Sequence, residues 1–216
     1  DNLYVRDAAD ADLLLLQNGS AVHALGPGEV SLEPQPAIDP MQKLFTVEWR
    51  PSPSTLVAEG AQAERLLVEA FDRGALATAA ELVGAGQRMV DMAVAYACER
   101  EQFGRPIGSF QAVKHRLADA QVALEFARPV VYRAAFSVAD GASDRELHVS
   151  HAKAAASEAA SLAAKAALQV HGAIGYTWEM DLHFWMKRAW ALDAVWGGGA
   201  WHRRRLARSL LGAAAA

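Results

Sequence analysis

A single cysteine, Cys98, in 216 residues rules out an intramolecular disulfide and gives no sign of an oxidising compartment. Basic charge is not in excess: the net charge is -4, which gives no reason to expect nucleic acid as a partner. No apolar run is long and hydrophobic enough to span a bilayer as a helix, so no membrane partner is expected. The stretch Asp1-Asn2-Leu3-Tyr4-Val5-Arg6 lacks the basic and apolar regions of a secretory signal, and a cytoplasmic location is the expectation. What is abundant is small and apolar: hydrophobic residues make up 52% of the chain, much of it alanine. The length suits one large domain or two small ones with a substantial core.

The chain reads as two halves, an α+β arrangement. Residues 1–60 carry short strand candidates at Ala11 to Leu16, Ala21 to Leu25, Val30 to Pro34 and Lys43 to Arg50. Gly26-Pro27-Gly28, Asp39-Pro40 and Pro51-Ser52-Pro53 punctuate them. Four short strands make a thin antiparallel sheet, part of a β domain rather than a complete one. Residues 61–216 read as helices in an up-and-down bundle. One helix is expected from about 62 to Arg100, and a second from an N-cap at Ser109. The second carries an apolar stripe of Phe110, Val113, Leu117, Ala120, Leu124, Ala127 and Val131, and Pro129 is expected to kink it. An alanine-rich third helix spans about 144–170. A fourth runs from Asp181 to Val195, Gly197-Gly198-Gly199 breaks the chain, and a last helix takes Trp201 to Leu211.

Two segments carry chemistry. In Arg100-Glu101-Gln102-Phe103-Gly104-Arg105-Pro106-Ile107, Arg100 either satisfies open carbonyls at a helix end or clamps a phosphate. Phe103 beside Gly104 offers a ring next to an open backbone, and Gln111 falls in the first turn of the next helix, where an anion is favoured. In Gln169-Val170-His171-Gly172-Ala173-Ile174-Gly175-Tyr176, the glycines suit either a ligand-facing turn or a plain helix connection.

These two segments, with Phe110-Gln111, Lys114-His115 and Leu117-Ala118-Asp119, resemble the C-terminal domain of acyl-CoA dehydrogenases. Tyr4 to Leu15 is similar to the later strands of that family's middle β domain. Phe71-Asp72-Arg73 is similar to a helix segment near its acyl-CoA site. The resemblance implies an FAD shared between subunits. It also implies α,β-dehydrogenation of acyl-CoA, with a carboxylate taking the α-proton and the flavin taking the β-hydride, and electrons passing to an electron-transferring flavoprotein. It places Arg100, Gln102 and Phe103 against the pyrophosphate and adenosine side of a neighbour's FAD. Gln111 would support them, and Gln169, Gly172 and Ala173 would line the same cofactor. Many members have a glycine where Ala173 stands.

Two departures follow from the same resemblance. The family's catalytic glutamate occupies one of two places, which fall here on Trp196 and Gly74. Neither residue takes a proton, and Asp193, one turn before Trp196, is the weak substitute. The sequence also begins after the family's N-terminal helical domain and first β strands, so half of a flavin pocket is expected to be missing. Other features are read as structural. His148 and His151 lack a third metal ligand. The later tryptophans are expected in the helical core or a subunit interface. Arg203-Arg204-Arg205 and Arg208 are expected to complement a helix dipole.

Three readings result. The first is a subunit without its own base, paired with a homologous dehydrogenase subunit as a tetramer, with heteromeric bacterial enzymes for steroid side-chain CoA esters as precedent. The second is a competent dehydrogenase with a displaced base. The third is a helical scaffold that has lost flavin. Retention of Arg100, Gln102, Phe103 and Gln111 argues against the third, and Trp196 and Gly74 argue against the second.

Overall fold

Alternating and β-branched residues in the first sixty positions form six short strands in the computed structural model, which describes residues 2–212. They are β1 (Asn2–Arg6), β2 (Leu14–Asn18), β3 (Ala21–Leu25), β4 (Val30–Gln35), β5 (Leu44–Trp49) and β6 (Leu56–Glu59). They pair antiparallel in two three-stranded sheets, ordered β1-β5-β4 and β2-β3-β6. Leu14, Leu16, Leu25 and Val47, with Ala8, form one buried apolar cluster, and Val22 and Ala58 form a second with Ala63. Strand β2 is displaced along the chain from the expected Ala11 to Leu16: it starts at Leu14, and Gln17 and Asn18 continue it into a turn at Gly19, where Gln17 Nε2 donates to the Gly19 carbonyl. Periodicity misses β1 and β6. In β1 the pairing register shifts between Asn2 and Val5, and Tyr4 there has φ of 59°, so the side-chain alternation is broken by a bulge.

The helices are α1 (Gly60–Glu99), α2 (Gln111–Ala139), α3 (Arg145–His171), α4 (Leu182–Ala194) and α5 (Gly199–Leu211). The chain divides into two compact units, residues 1–70 and 71–216, with the division inside α1. In the second unit α1 presents Ala75, Ala79, Leu82, Val83, Met89, Val90, Ala93 and Ala97 to the core, three and four residues apart, as one helical face requires. Helix α2 adds Leu117, Ala120, Leu124, Ala127, Val131 and Ala134, which is the stripe read from the sequence, and it runs unbroken through the exposed Pro129. Its N-cap is Phe110 rather than Ser109, which lies in a 3-10 turn at Ile107–Ser109.

Helix α3 is the hub, packing against α2, α4 and α5. Its alanines are buried on most sides, and small side chains allow this close approach. At Gly86 of α1 a Cβ would lie 2.6 Å from Leu124 Cδ2 and 3.4 Å from Ala160 Cα, so three helices meet where only hydrogen fits. Helix α5 starts at Gly199, not at Trp201, so the third glycine of the run is already helical. No helix among the described residues is long and apolar enough to cross a membrane.

Candidate cofactor-contact hairpin and the Trp196 corner

After Glu99 the chain makes a two-residue-strand hairpin, β7 (Glu101–Gln102) with β8 (Arg105–Pro106). Ile107 N donates to the Arg100 carbonyl at 2.8 Å and closes it. Phe103 and Gly104 form the tip, with φ of 55° and 77°. Two consecutive positive φ values are the requirement of a type I′ turn, in which glycine is at ease and phenylalanine is not. Holding an L-residue there costs roughly 1–2 kcal/mol. The ring so placed is 92% exposed and meets Phe110 edge-on, with centroids 6.1 Å apart. Arg105 lies over Phe110 at 4.1 Å, so the hairpin is braced from below while Phe103 projects. Arg100, Gln102 and Gln111 are all exposed, and Gln102 Nε2 donates only to the adjacent Glu101 carbonyl.

The second segment ends α3. His171 is buried, its Nδ1 donates to the Ala167 carbonyl at 2.8 Å, and its ring stacks on Tyr96 with centroids 4.6 Å apart. Tyr96 lies one turn before Arg100, so this stack ties the end of α1, and the hairpin that follows, to the end of α3. Gly172 has φ of 66°, and Gln169, Gly172 and Ala173 are exposed on that turn. The two segments thus share one end of the bundle.

The other end holds the remaining candidates. Gly74 and Trp196, far apart in sequence, lie against each other. A Cβ built on Gly74 would stand 2.3 Å from Trp196 Cε2 and 2.6 Å from its Nε1. Phe71 meets the indole edge-on at 6.0 Å and Trp201 at 5.1 Å. Trp196 has φ of 56° and Gly197 of 87°, so the corner between α4 and α5 also carries a non-glycine residue in the left-handed region. Asp193 faces elsewhere. Its Oδ1 accepts from Gly199 N at 3.4 Å, and it lines a cleft of about 780 Å³ with Ser157, Ser161, Lys165 and Arg203, a set that includes neither Gly74 nor Trp196.

Sequence reasoning missed the residues beneath this corner. Lys153 is fully buried, and its Nζ donates to the carbonyls of Asp193 at 2.8 Å and Gly197 at 3.0 Å. Burial lowers its pKa to about 8, against a smaller opposing pull from Asp193. A lysine set among alanines on a helix buried nearly all round was the available signal. His202 is also fully buried. Burial lowers its pKa to about 4, helped by the Lys153 and Arg205 charges, so it is neutral and donates from Nε2 to the Trp196 carbonyl at 2.9 Å.

Asp72, 1% exposed, is held by Arg145 at 3.3 Å and Arg205 at 3.3 Å. Arg205 also reaches Glu146 at 2.6 Å and Ser150 Oγ at 3.1 Å. Burial nevertheless raises the Asp72 pKa. Arg205 is therefore a cross-helix tie, which corrects the reading of the arginine run as dipole complement alone. Of the two places expected for the later tryptophans, the helical core is not where they lie: Trp178 is 72% exposed and Trp185, Trp190, Trp196 and Trp201 are each more than a third exposed. His148 Nδ1 hydrogen-bonds Ser137 Oγ at 2.8 Å, and among the described residues no three potential ligands gather around a metal position.

The family model for the acyl-CoA dehydrogenase C-terminal domain matches residues 65–211. The chain belongs to the acyl-CoA dehydrogenase family. It is 47% identical over 118 residues to acyl-CoA dehydrogenase IpdE2 of Mycobacterium tuberculosis (strain ATCC 25618 / H37Rv), covering 55% of this chain and 35% of that protein. It is 36% identical over 203 residues to IpdE2 of Mycolicibacterium smegmatis (strain ATCC 700084 / mc(2)155), covering 94% of this chain and 60% of the relative. The chain thus spans well under two thirds of the length of these relatives. A solved ChsE4-ChsE5 complex from Mycobacterium tuberculosis superposes with a TM-score of 0.85 at 27% identity, covering 97% of this chain and 58% of that one. In this chain antiparallel strands lead into the helical domain that the family model matches. The hairpin end fits the family's FAD in its chemistry: a guanidinium for phosphate, primary amides for polar edges, and a bare aromatic face.

Proposed function

We propose that this chain is an acyl-CoA dehydrogenase subunit that supports a partner's FAD and has no catalytic base of its own. The observation that carries the reading is the Trp196 indole packed on Gly74, because it fills both places where the family keeps its glutamate. A carboxylate cannot enter at position 74 without evicting the indole, and the indole itself accepts no proton at neutral pH. Loss of a positioned base costs roughly 10² to 10⁴ in rate.

Geometry supports a role toward a neighbour. About 38 Å of continuous helix separates Gly74 from Glu99, at roughly 1.5 Å per residue. The hairpin and the Trp196 corner therefore cannot serve the same end of one cofactor. FAD, when bound, supplies the hydride acceptor. This chain's part is to hold the partner's cofactor: Arg100 takes the phosphates, Gln102 and Gln111 bond polar edges, and Phe103 covers the adenosine ring. Gln169, Gly172 and Ala173 close the far side. The partner is a homologous subunit in a tetramer, and an acyl-CoA thioester and an electron-transferring flavoprotein are used by the assembly as a whole. The strained Phe103 favours this reading over a flavin-free scaffold, since a scaffold gains nothing from an exposed ring in the left-handed region.

The test is Arg100→Ala in the full-length complex. It is expected to lower FAD retention without dissociating the subunits; unchanged retention after dialysis rejects the phosphate role.

A further inference from the structure

The side-chain hydrogen bonds at the corner that carries Trp196 go to its backbone carbonyls. Lys153 comes from the first half of α3 and bonds two carbonyls, one in the last turn of α4 at Asp193 and one at Gly197. His202 comes from the first turns of α5 and bonds the carbonyl between them, that of Trp196. Gly199 N adds a bond back to the Asp193 carboxylate. Three carbonyls spanning the α4–α5 connection are thus tied to one side chain from α3 and one from α5. A buried imidazole with its other nitrogen unpartnered and a buried ammonium without a direct carboxylate partner are costly to keep. Packing alone would be better served by apolar residues of similar size.

None of these bonds uses the side chain of residue 196. Trp196 and Gly197 both have positive φ, the clamp bonds the carbonyls of both, and the Trp196 ring lies against Gly74. The clamp is indifferent to whether that side chain is an indole or a carboxylate.

We propose that Lys153 and His202 are positioning residues that aim the residue-196 side chain at Gly74, and that in this chain they hold the indole across the space an acyl thioester would need. This rests on the reading of Trp196 as the occupant of the family's base position. It adds that closure is imposed by the backbone clamp and not by the indole's own stickiness.

The experiment is ¹⁹F NMR of the full-length protein labelled with 5-fluorotryptophan, with the Trp196 resonance assigned by its loss in Trp196→Phe. The variants are Lys153→Met, His202→Leu and His202→Gln, and the last keeps a donor for the Trp196 carbonyl. The wild type is expected to give one Trp196 resonance. Lys153→Met and His202→Leu are expected to shift or split that resonance while the Trp178 and Trp185 resonances stay in place, and His202→Gln is expected to restore the single line. A merely structural role would move all tryptophan lines together, or leave His202→Gln as perturbed as His202→Leu; either result overturns the proposal. So does an unmoved Trp196 line in folded Lys153→Met. Should Lys153→Met fail to fold, the two His202 variants decide. No flavin enters the measurement, so its failure is distinct from that of the subunit reading, which flavin and turnover in the unpartnered protein would reject.

Discussion

Gly74→Ala should change sign depending on what stands at position 196. In the helix interior of α1, replacing glycine by alanine stabilises by roughly 0.5–1 kcal/mol. Against that, the new methyl would lie 2.3 to 2.6 Å from three atoms of the Trp196 ring, well inside contact distance. Overpacking of this kind costs roughly 1–3 kcal/mol. The net expectation in the wild-type background is a loss of about 0–2.5 kcal/mol. In a Trp196→Gly background the clash is gone and only the helix gain is left, so the same substitution should stabilise by about 0.5–1 kcal/mol. The coupling between the two sites is then about 1–3 kcal/mol, which neighbours in contact show and distant sites do not. Urea unfolding of the four proteins, Gly74→Ala and Trp196→Gly singly and together with wild type, measures it, with equal m-values as the check that only stability has moved. Additivity within about 0.5 kcal/mol would refute the claim that these residues share one space.

Three further predictions test the other groups. His202 titrates in the fold near 4 and when unfolded near 6.5, so the unfolded chain binds more protons between those values. Stability should fall as pH drops through that window, by an amount on the order of 3 kcal/mol, and His202→Gln should flatten this part of the stability–pH curve. Lys153, lowered to about 8, gives the opposite flank: below pH 8 its ammonium is carried into the core at a cost, and stability should rise between about pH 8 and 10.5 in wild type but not in Lys153→Met. Phe103→Asn should stabilise the isolated protein by roughly 1 kcal/mol, since asparagine followed by Gly104 suits the turn, yet lower FAD retention in the complex. Thermal unfolding and absorbance at flavin wavelengths read the two effects separately.

Much of the bundle was legible because burial writes a period into a helix. The stripe from Phe110 to Val131 in α2 and the alanine run of α3 identify the faces that pack, and the bounds of β3 and β4 follow from apolar runs between turn residues. What the sequence hid depends on contacts between distant positions. Strand β1 carries a bulge at Tyr4, so its alternation fails. Lys153 and Arg205 are charged side chains of helices, and a single sequence reads such residues as solvated. Only the packing of α3 against α4 and α5 turns Lys153 inward to backbone carbonyls, and only the fold brings Arg205 to Asp72. The candidate site divides the same way. The hairpin residues were visible as a motif, and the structure adds the positive φ of Phe103 and the Tyr96–His171 stack that joins the two segments. That positions 74 and 196 each lack a carboxylate was readable from resemblance; that one fills the other's space was not.

The central claim is that this chain holds a partner's flavin and does no proton abstraction itself. It is tested most directly by the visible spectrum and acyl-CoA turnover of the full-length protein, purified alone and co-expressed with a homologous subunit that carries a glutamate at a family base position. The account predicts flavin absorbance and turnover in the complex and neither in the protein alone. Bound flavin with acyl-CoA oxidation in the unpartnered protein would contradict it.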